Sequence, residues 1–133
     1  RDFLNSKKIN ILNLKSDVIE LMKKSELVVH MYNSTGILEC LSLNIPTMFF
    51  SSDSLNCRNR YDSNFISFCK ENEIFYDSSE LLANKITEKF DNIQAWWNHE
   101  ELQIKRKLVC EQYSILPDKQ SLRELTKNIK YEN

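Results

Sequence analysis

Glycine is almost absent from this chain. Gly36 is its single glycine in 133 residues, where average usage of ~7% would place about nine. Neither a G-x-G-x-x-G dinucleotide loop nor a Walker A loop can be written with one glycine. Proline is nearly as scarce, with two residues. Collagen-like, Gly/Ser-linker and Pro-rich disordered readings are excluded with them. Long apolar runs are also missing, and none approaches the ~18 residues of a membrane span. The opening residues Arg1, Asp2, Asn5 and Lys7 are charged or polar and do not read as a signal peptide. The chain starts with Arg and not Met, so we expect a piece of a longer protein.

Charge of one sign is lacking as well. The 18 basic and 19 acidic residues are interspersed and leave a net charge of -1, with a pI near 6.2. A nucleic-acid partner is not expected, because such domains are usually clearly basic. The four cysteines, Cys40, Cys57, Cys69 and Cys110, form no C-x-x-C pair. The two histidines, His30 and His99, stand in no ligand spacing with them, so neither zinc nor another metal is expected. Reduced thiols in a cytosolic protein, with Cys40, Cys69 and Cys110 partly buried, are the reading. No Ser-His-Asp or Cys-His nucleophile arrangement is evident.

What is present suits one globular domain. Hydrophobic residues make up 41% of the chain, including seven Phe, five Tyr and two Trp. A chain of this length buries about two-thirds of its unfolded surface. Short β-rich runs alternate with helical stretches, which indicates an α/β fold. The expected fold is a Rossmann-like parallel sheet with short strands in residues 9–76, flanked by helices, and a helical C-terminal third.

Ile9–Leu12 is a strand candidate. Residues 17–25 read as a helix capped by Asp17 with Glu20 as reciprocal partner, and Val18, Leu21 and Met22 form its apolar face. Leu27–Met31 is nearly continuous apolar sequence, the pattern of a strand buried on both faces. Residues 32–36 form a polar turn, Ile37–Leu43 a helix ended by Asn44 and Pro46, and Thr47–Phe50 a further strand. A polar loop follows over 51–60. Helices are expected over 61–72, 79–90, 93–98, 100–113 and 118–130, with a short edge-type strand at Ile74–Tyr76. Ser78 or Ser79 caps the helix at 79.

The segment His30-Met31-Tyr32-Asn33-Ser34-Thr35-Gly36 leads from the carboxyl end of a strand to the amino end of a helix. Ligands bind at that rim in open α/β sheets, and unpaired helix N–H groups favour phosphate or carboxylate. Ser34 and Thr35 add hydroxyls. Gly36, lacking a Cβ, would let a phosphate approach the backbone. Glu39 lies one turn past Thr35 and could accept hydrogen bonds from sugar or ribose hydroxyls. The same residues would equally serve as a helix cap and a dipole partner.

The run LVVHMYNSTGILECLSLNIPTMFF, residues 27–50, resembles the C-terminal half of GT-B-type sugar transferases. More closely, it resembles the LIC12162-like family of bacterial surface-carbohydrate transferases. The matching features are the Tyr32-Asn33-Ser34-Thr35 turn and the run from Leu38-Glu39-Cys40-Leu41 to Asn44-Ile45-Pro46-Thr47. The similarity extends through the loop bearing Arg58 and Arg60, the aromatic helix from Tyr61 to Phe68, the E-I-F-Y-D segment at 73–77 and the Trp96-Trp97 pair. It covers about residues 9–114. The chain departs from many GT-B donor loops in having so little glycine.

The resemblance implies that residues 1–133 are a single domain, the C-terminal half of a two-domain protein. It would bind a nucleotide-sugar donor for glycosyl transfer in surface polysaccharide or lipopolysaccharide assembly, without a cofactor or metal. Asn33, Ser34, Thr35 and Gly36 would face the donor phosphates, and Glu39 the donor hydroxyls. The catalytic base and the site for a glycan or lipid-linked acceptor would lie on the other half, so this piece alone would be inactive. The expected location is the cytoplasm, at the inner face of the membrane. Two competing functions are polyol-phosphate transfer of the glycerophosphotransferase kind and a non-catalytic α/β interaction module.

Four more residues are candidates for the donor. His30 either closes the strand as a satisfied core-edge histidine or reaches a phosphate. Tyr32 either stacks on a base or covers the strand end. Arg58 and Arg60 either are solvated or bind pyrophosphate. Trp96 and Trp97, being adjacent on a helix, cannot both face one partner. The Lys105-Arg106-Lys107 cluster reads as a solvated face, with peripheral contact to anionic lipid as the alternative.

Overall fold

The computed structural model describes residues 12, 17–32, 34–52 and 63–113. Asn33, Arg58, Arg60, Cys57, most of the strand expected at Ile9–Leu12 and the helix expected at 118–130 lie outside the described residues. The elements run α1 (Val18–Lys23), β1 (Val28–His30), α2 (Gly36–Ser42), β2 (Thr47–Phe50), α3 (Ser63–Glu71), β3 (Phe75–Tyr76), α4 (Ser79–Lys89), a 3-10 turn (Phe90–Asn92), α5 (Ile93–Trp97) and α6 (Glu100–Tyr113). The three strands form a parallel sheet in the order β1-β2-β3. A mixed α/β fold with a short parallel sheet flanked by helices is therefore what the alternating pattern produces.

The strand buried on both faces is β2, and this corrects the sequence expectation for β1. Thr47, Met48 and Phe49 are fully covered, whereas Val29 in β1 is 38% exposed. Only β2 has a neighbour on each side among the described residues. Its Phe49 meets Phe75 of β3 with ring centroids 4.9 Å apart. Around this pair, Ile37, Leu41, Phe65, Phe68, Ile74, Trp97 and Leu102 close the core.

Helix α1 is a peripheral element. Asp17 Oδ1 accepts from the backbone N–H of Ile19 and Glu20 at 3.0 and 3.2 Å, so the cap is as expected. Glu20 does not close it reciprocally but pairs with Lys23 at 3.0 Å. Val18 is 57% exposed, and Ile19 joins Leu21 and Met22 in the half-covered set.

The glycine shortage is visible at the helix ends. Helix α2 finishes with Asn44 N–H donating to Leu41 O at 3.2 Å and Ile45 N–H to Cys40 O at 2.8 Å. Helix α3 repeats the pattern: Glu73 N–H donates to Lys70 O at 3.2 Å and Ile74 N–H to Cys69 O at 2.7 Å. These are Schellman motifs, which place a left-handed residue after the helix and usually use glycine there. Here Asn44 has φ 57° and Glu73 φ 59°. Asn tolerates that region because its short amide bonds locally. Glu73 is held by Lys89 at 2.6 Å and Lys85 at 3.5 Å.

The far end of α2 is bolted to the helical third. Asn44 Oδ1 accepts from Trp97 Nε1 at 2.9 Å and from Gln103 Nε2 at 3.1 Å. Arg106 is 7% exposed and donates to Leu41 O at 2.6 Å and to Gln103 Oε1 at 3.0 Å. The solvated-face reading therefore fails for Arg106, although Lys107 is exposed and Lys105 pairs with Glu101 at 2.8 Å. A guanidinium on the last carbonyls of a helix satisfies orphan acceptors and suits the negative dipole end. Trp97 is the core member of the tryptophan pair, while Trp96 is partly covered and donates to Asn72 O at 3.1 Å.

Candidate functional site

The carboxyl end of β1 carries the candidate residues upward from the sheet. His30 closes the strand, Met31 and Tyr32 stand 64% and 68% exposed, and Ser34 and Thr35 lead into α2. Tyr32 presents its ring to solvent at the rim. Thr35 is the N-cap residue of α2 but makes no side-chain capping bond. The hydroxyl-as-cap reading therefore does not hold there. Glu39 N–H donates to Thr35 O at 3.2 Å, so the exposed Glu39 lies one turn above Thr35.

His30 is the hub of the turn. Its Nδ1 lies 3.1 Å from Ser34 Oγ and its Nε2 3.7 Å from Cys40 Sγ. Burial lowers the imidazole pKa from its ordinary 6.5 and favours the neutral ring. Burial also pushes the Cys40 thiol up to about 11, opposed by the Thr47 hydroxyl and reinforced by the Glu39 carboxylate. Of the two readings of His30, the satisfied core-edge histidine is the one the geometry supports. The structure does bring a serine and a cysteine onto a histidine, a contact that sequence spacing did not reveal. Cys40 remains a protonated thiol and not an activated nucleophile, since the thiolate is the reactive form.

Gly36 has a different reason from the one expected. A Cβ built there would meet His30 Cε1 at 2.9 Å, Ser34 Oγ at 3.4 Å and His30 Nδ1 at 3.5 Å. Its φ is not in the left-handed region. The glycine therefore makes room for the imidazole lying over the start of α2. The presence of Cys40 beside the ring, with Met22 Sδ 3.9 Å from its sulfur, was also unforeseen. The one available hint is spacing, since positions 36 and 40 share a helix face.

A cleft of about 350 Å³ touches none of these residues. It is lined by Asn72, Glu73, Lys89, Trp96, His99 and Lys105, among others. Residues 71–73 lead into β3, which places the cleft at the opposite, amino end of the sheet. Its cations are already engaged: Lys89 with Glu73 at 2.6 Å and Lys105 with Glu101 at 2.8 Å. Among the described residues, no group of three or more His, Cys, Asp or Glu side chains could hold a metal ion.

A family model described as LIC12162 family transferase matches residues 2–129. The chain belongs to that family. No curated protein and no solved structure shows significant similarity to it. Membership makes it a transferase-family chain, and the matched span includes the whole rim from His30 to Glu39. No helix among the described residues is long and apolar enough to cross a membrane.

Proposed function

We propose that this LIC12162 family chain is the donor-binding domain of a nucleotide-sugar-dependent glycosyltransferase of bacterial surface polysaccharide assembly. The observation that carries this reading is the turn from His30 to Gly36. In a transferase-family chain, it lies at the carboxyl end of a parallel strand, and its Thr35 hydroxyl is not used to cap the helix it begins. Donor phosphate would sit over Ser34 and Thr35, with Asn33 beside them, and Glu39 would accept from sugar or ribose hydroxyls. Tyr32 offers a stacking face for the base. Arg58 and Arg60, which lie outside the described residues, would add positive charge for the pyrophosphate.

As the bond from the sugar to the donor phosphate breaks, negative charge grows on the leaving phosphate. Hydroxyl and guanidinium donors held against the leaving phosphate would stabilise that charge more than the ground state. The acceptor, a glycan or lipid-linked sugar, and the base that deprotonates it belong to another part of the complete protein. Transfer would take place on the cytoplasmic side of the membrane.

The test uses the complete protein. UDP, GDP or CMP at millimolar concentration should raise its melting temperature, because a ligand bound only to the folded state must stabilise it. Glu39→Ala should lower the transfer rate about tenfold, the effect of losing one hydrogen bond to a charged group, with the fold intact. Unchanged transfer in a normally folded Glu39→Ala protein would remove Glu39 from the site. No stabilisation by any nucleotide would sink the donor reading.

A further inference from the structure

The cleft of about 350 Å³ at the amino end of the sheet is large enough for a small molecule, since such sites start at ~300 Å³. Trp96 lines it. The indole Nε1 donates to Asn72 O at 3.1 Å, which fixes the ring, and Lys89 Nζ stands 5.7 Å from the ring centroid. Ion pairs border the ring. Lys89 holds Glu73 at 2.6 Å, and Lys105 holds Glu101 at 2.8 Å and Glu71 at 3.9 Å. The Lys105 pairs tie α6 to the end of α3. His99 lines the same cleft, and its exposed ring makes no hydrogen bond among the described residues.

These groups select a ligand by exclusion. A phosphate or carboxylate would meet the carboxylates of Glu71, Glu73 and Glu101, and an organic cation the ammonium groups of Lys89 and Lys105. A metal ion finds no ligand set among the described residues. What the ion pairs do offer is acceptors and donors side by side. A carboxylate has several lone-pair positions and an ammonium several N–H groups, and pairing uses only part of them. A sugar hydroxyl both donates and accepts. A vicinal diol can therefore donate to the carboxylate and accept from the ammonium of one pair without breaking it. The indole adds an apolar body beside these groups, suited to the C–H face of a pyranose.

We infer that this cleft is a binding site for a neutral pyranose unit of a glycan, separate from the donor rim at the other end of the sheet. The inference goes beyond the donor reading and does not depend on it. The sugar lies along Trp96, with its hydroxyls on the Lys105–Glu101 and Lys89–Glu73 pairs and His99 as a further hydrogen-bond partner.

Fluorine NMR of the complete protein labelled with fluorotryptophan tests this, with the Trp96 signal identified by its loss in Trp96→Phe. The probes are methyl α-glucoside, methyl α-galactoside and N-acetylglucosamine. At least one should shift the Trp96 signal saturably, with a millimolar dissociation constant. Methyl glucuronide, which adds a carboxylate, should bind more weakly than methyl α-glucoside. Lys105→Met keeps the apolar stem and removes the ammonium, and its exposed ion pairs contribute little to folding. It should weaken sugar binding about tenfold, in line with one lost bond to a charged group. His99→Ala should weaken it as well. A Trp96 signal that none of the three sugars moves overturns the inference, and so do equal affinities in wild type and Lys105→Met. Displacement of the sugar by UDP would move it to the donor rim and overturn the inference too.

Discussion

A methyl group on residue 36 would stand 2.9 Å from His30 Cε1, closer than packed atoms tolerate. The ring cannot yield easily, because Ser34 and Cys40 hold its two nitrogens. Gly36→Ala should therefore cost about 1–3 kcal/mol, the usual range for overpacking. Combining it with His30→Ala should remove most of that cost, because the space is then vacant. A double-mutant cycle from thermal melts measures the coupling, and simple additivity would refute the steric account. The importance of this position was legible in the sequence, where a lone glycine falls between a strand and a helix. Its reason was not legible, because the atom it avoids is six residues back and is brought there only by the turn.

At the scale of the element, two helices end alike with different residues in the left-handed position. Asn44 and Glu73 both have φ near 60°. If backbone conformation alone mattered, glycine would improve both. Asn44 Oδ1, however, receives hydrogen bonds from Trp97 and Gln103, and Trp97 is 1% exposed. Asn44→Gly should thus destabilise the domain by about 1–2 kcal/mol, the cost of two lost hydrogen bonds, although Trp97 Nε1 keeps Asn44 O at 3.3 Å and Gln103 Nε2 keeps Trp97 O at 2.8 Å. Glu73→Gly loses ion pairs to Lys89 and Lys85, whose side chains are 16% and 35% exposed and which keep some contact with water and so contribute modestly, and it relieves a disfavoured φ. It should be neutral or stabilising by up to about 1 kcal/mol. Urea denaturation midpoints of the two variants provide the comparison, and equal shifts would contradict this account. The extents of α5 and α6 and the Ser78 cap, which accepts from Leu81 N–H at 3.2 Å, follow from local pattern. The burial of Arg106 does not, since its partner Leu41 is 65 residues away.

Across the whole molecule, the three described cysteines report on different depths of the fold. Cys69 and Cys110 lie in the central cluster with Phe49, Phe65 and Trp97. Cys40 is equally buried, but its sulfur faces His30 and Met22, and Met22 belongs to α1, which contains no buried residue. Elements with few buried contacts open at lower free energy than the core. Thiol labelling across a denaturant series, mapped by mass spectrometry, should therefore modify Cys40 first and Cys69 with Cys110 together at higher denaturant. Simultaneous labelling of all three would mean that α1 and the His30 corner unfold only with the core.

The sequence by itself determined the alternation of short strands and helices, most element boundaries, the scarcity of glycine-dependent devices and the family. These are local or compositional properties, set by residue propensities, periodicity and capping chemistry. Tertiary structure alone decided that β2 and not β1 is the covered strand, that Arg106 is an internal bolt, and that Gly36 serves His30. Each of these depends on which distant atoms meet, and burial and hydrogen bonding are properties of those meetings. The same holds for the line from Cys40 through His30 to Ser34: its three residues are spread over a strand, a turn and a helix, and only the fold aligns them.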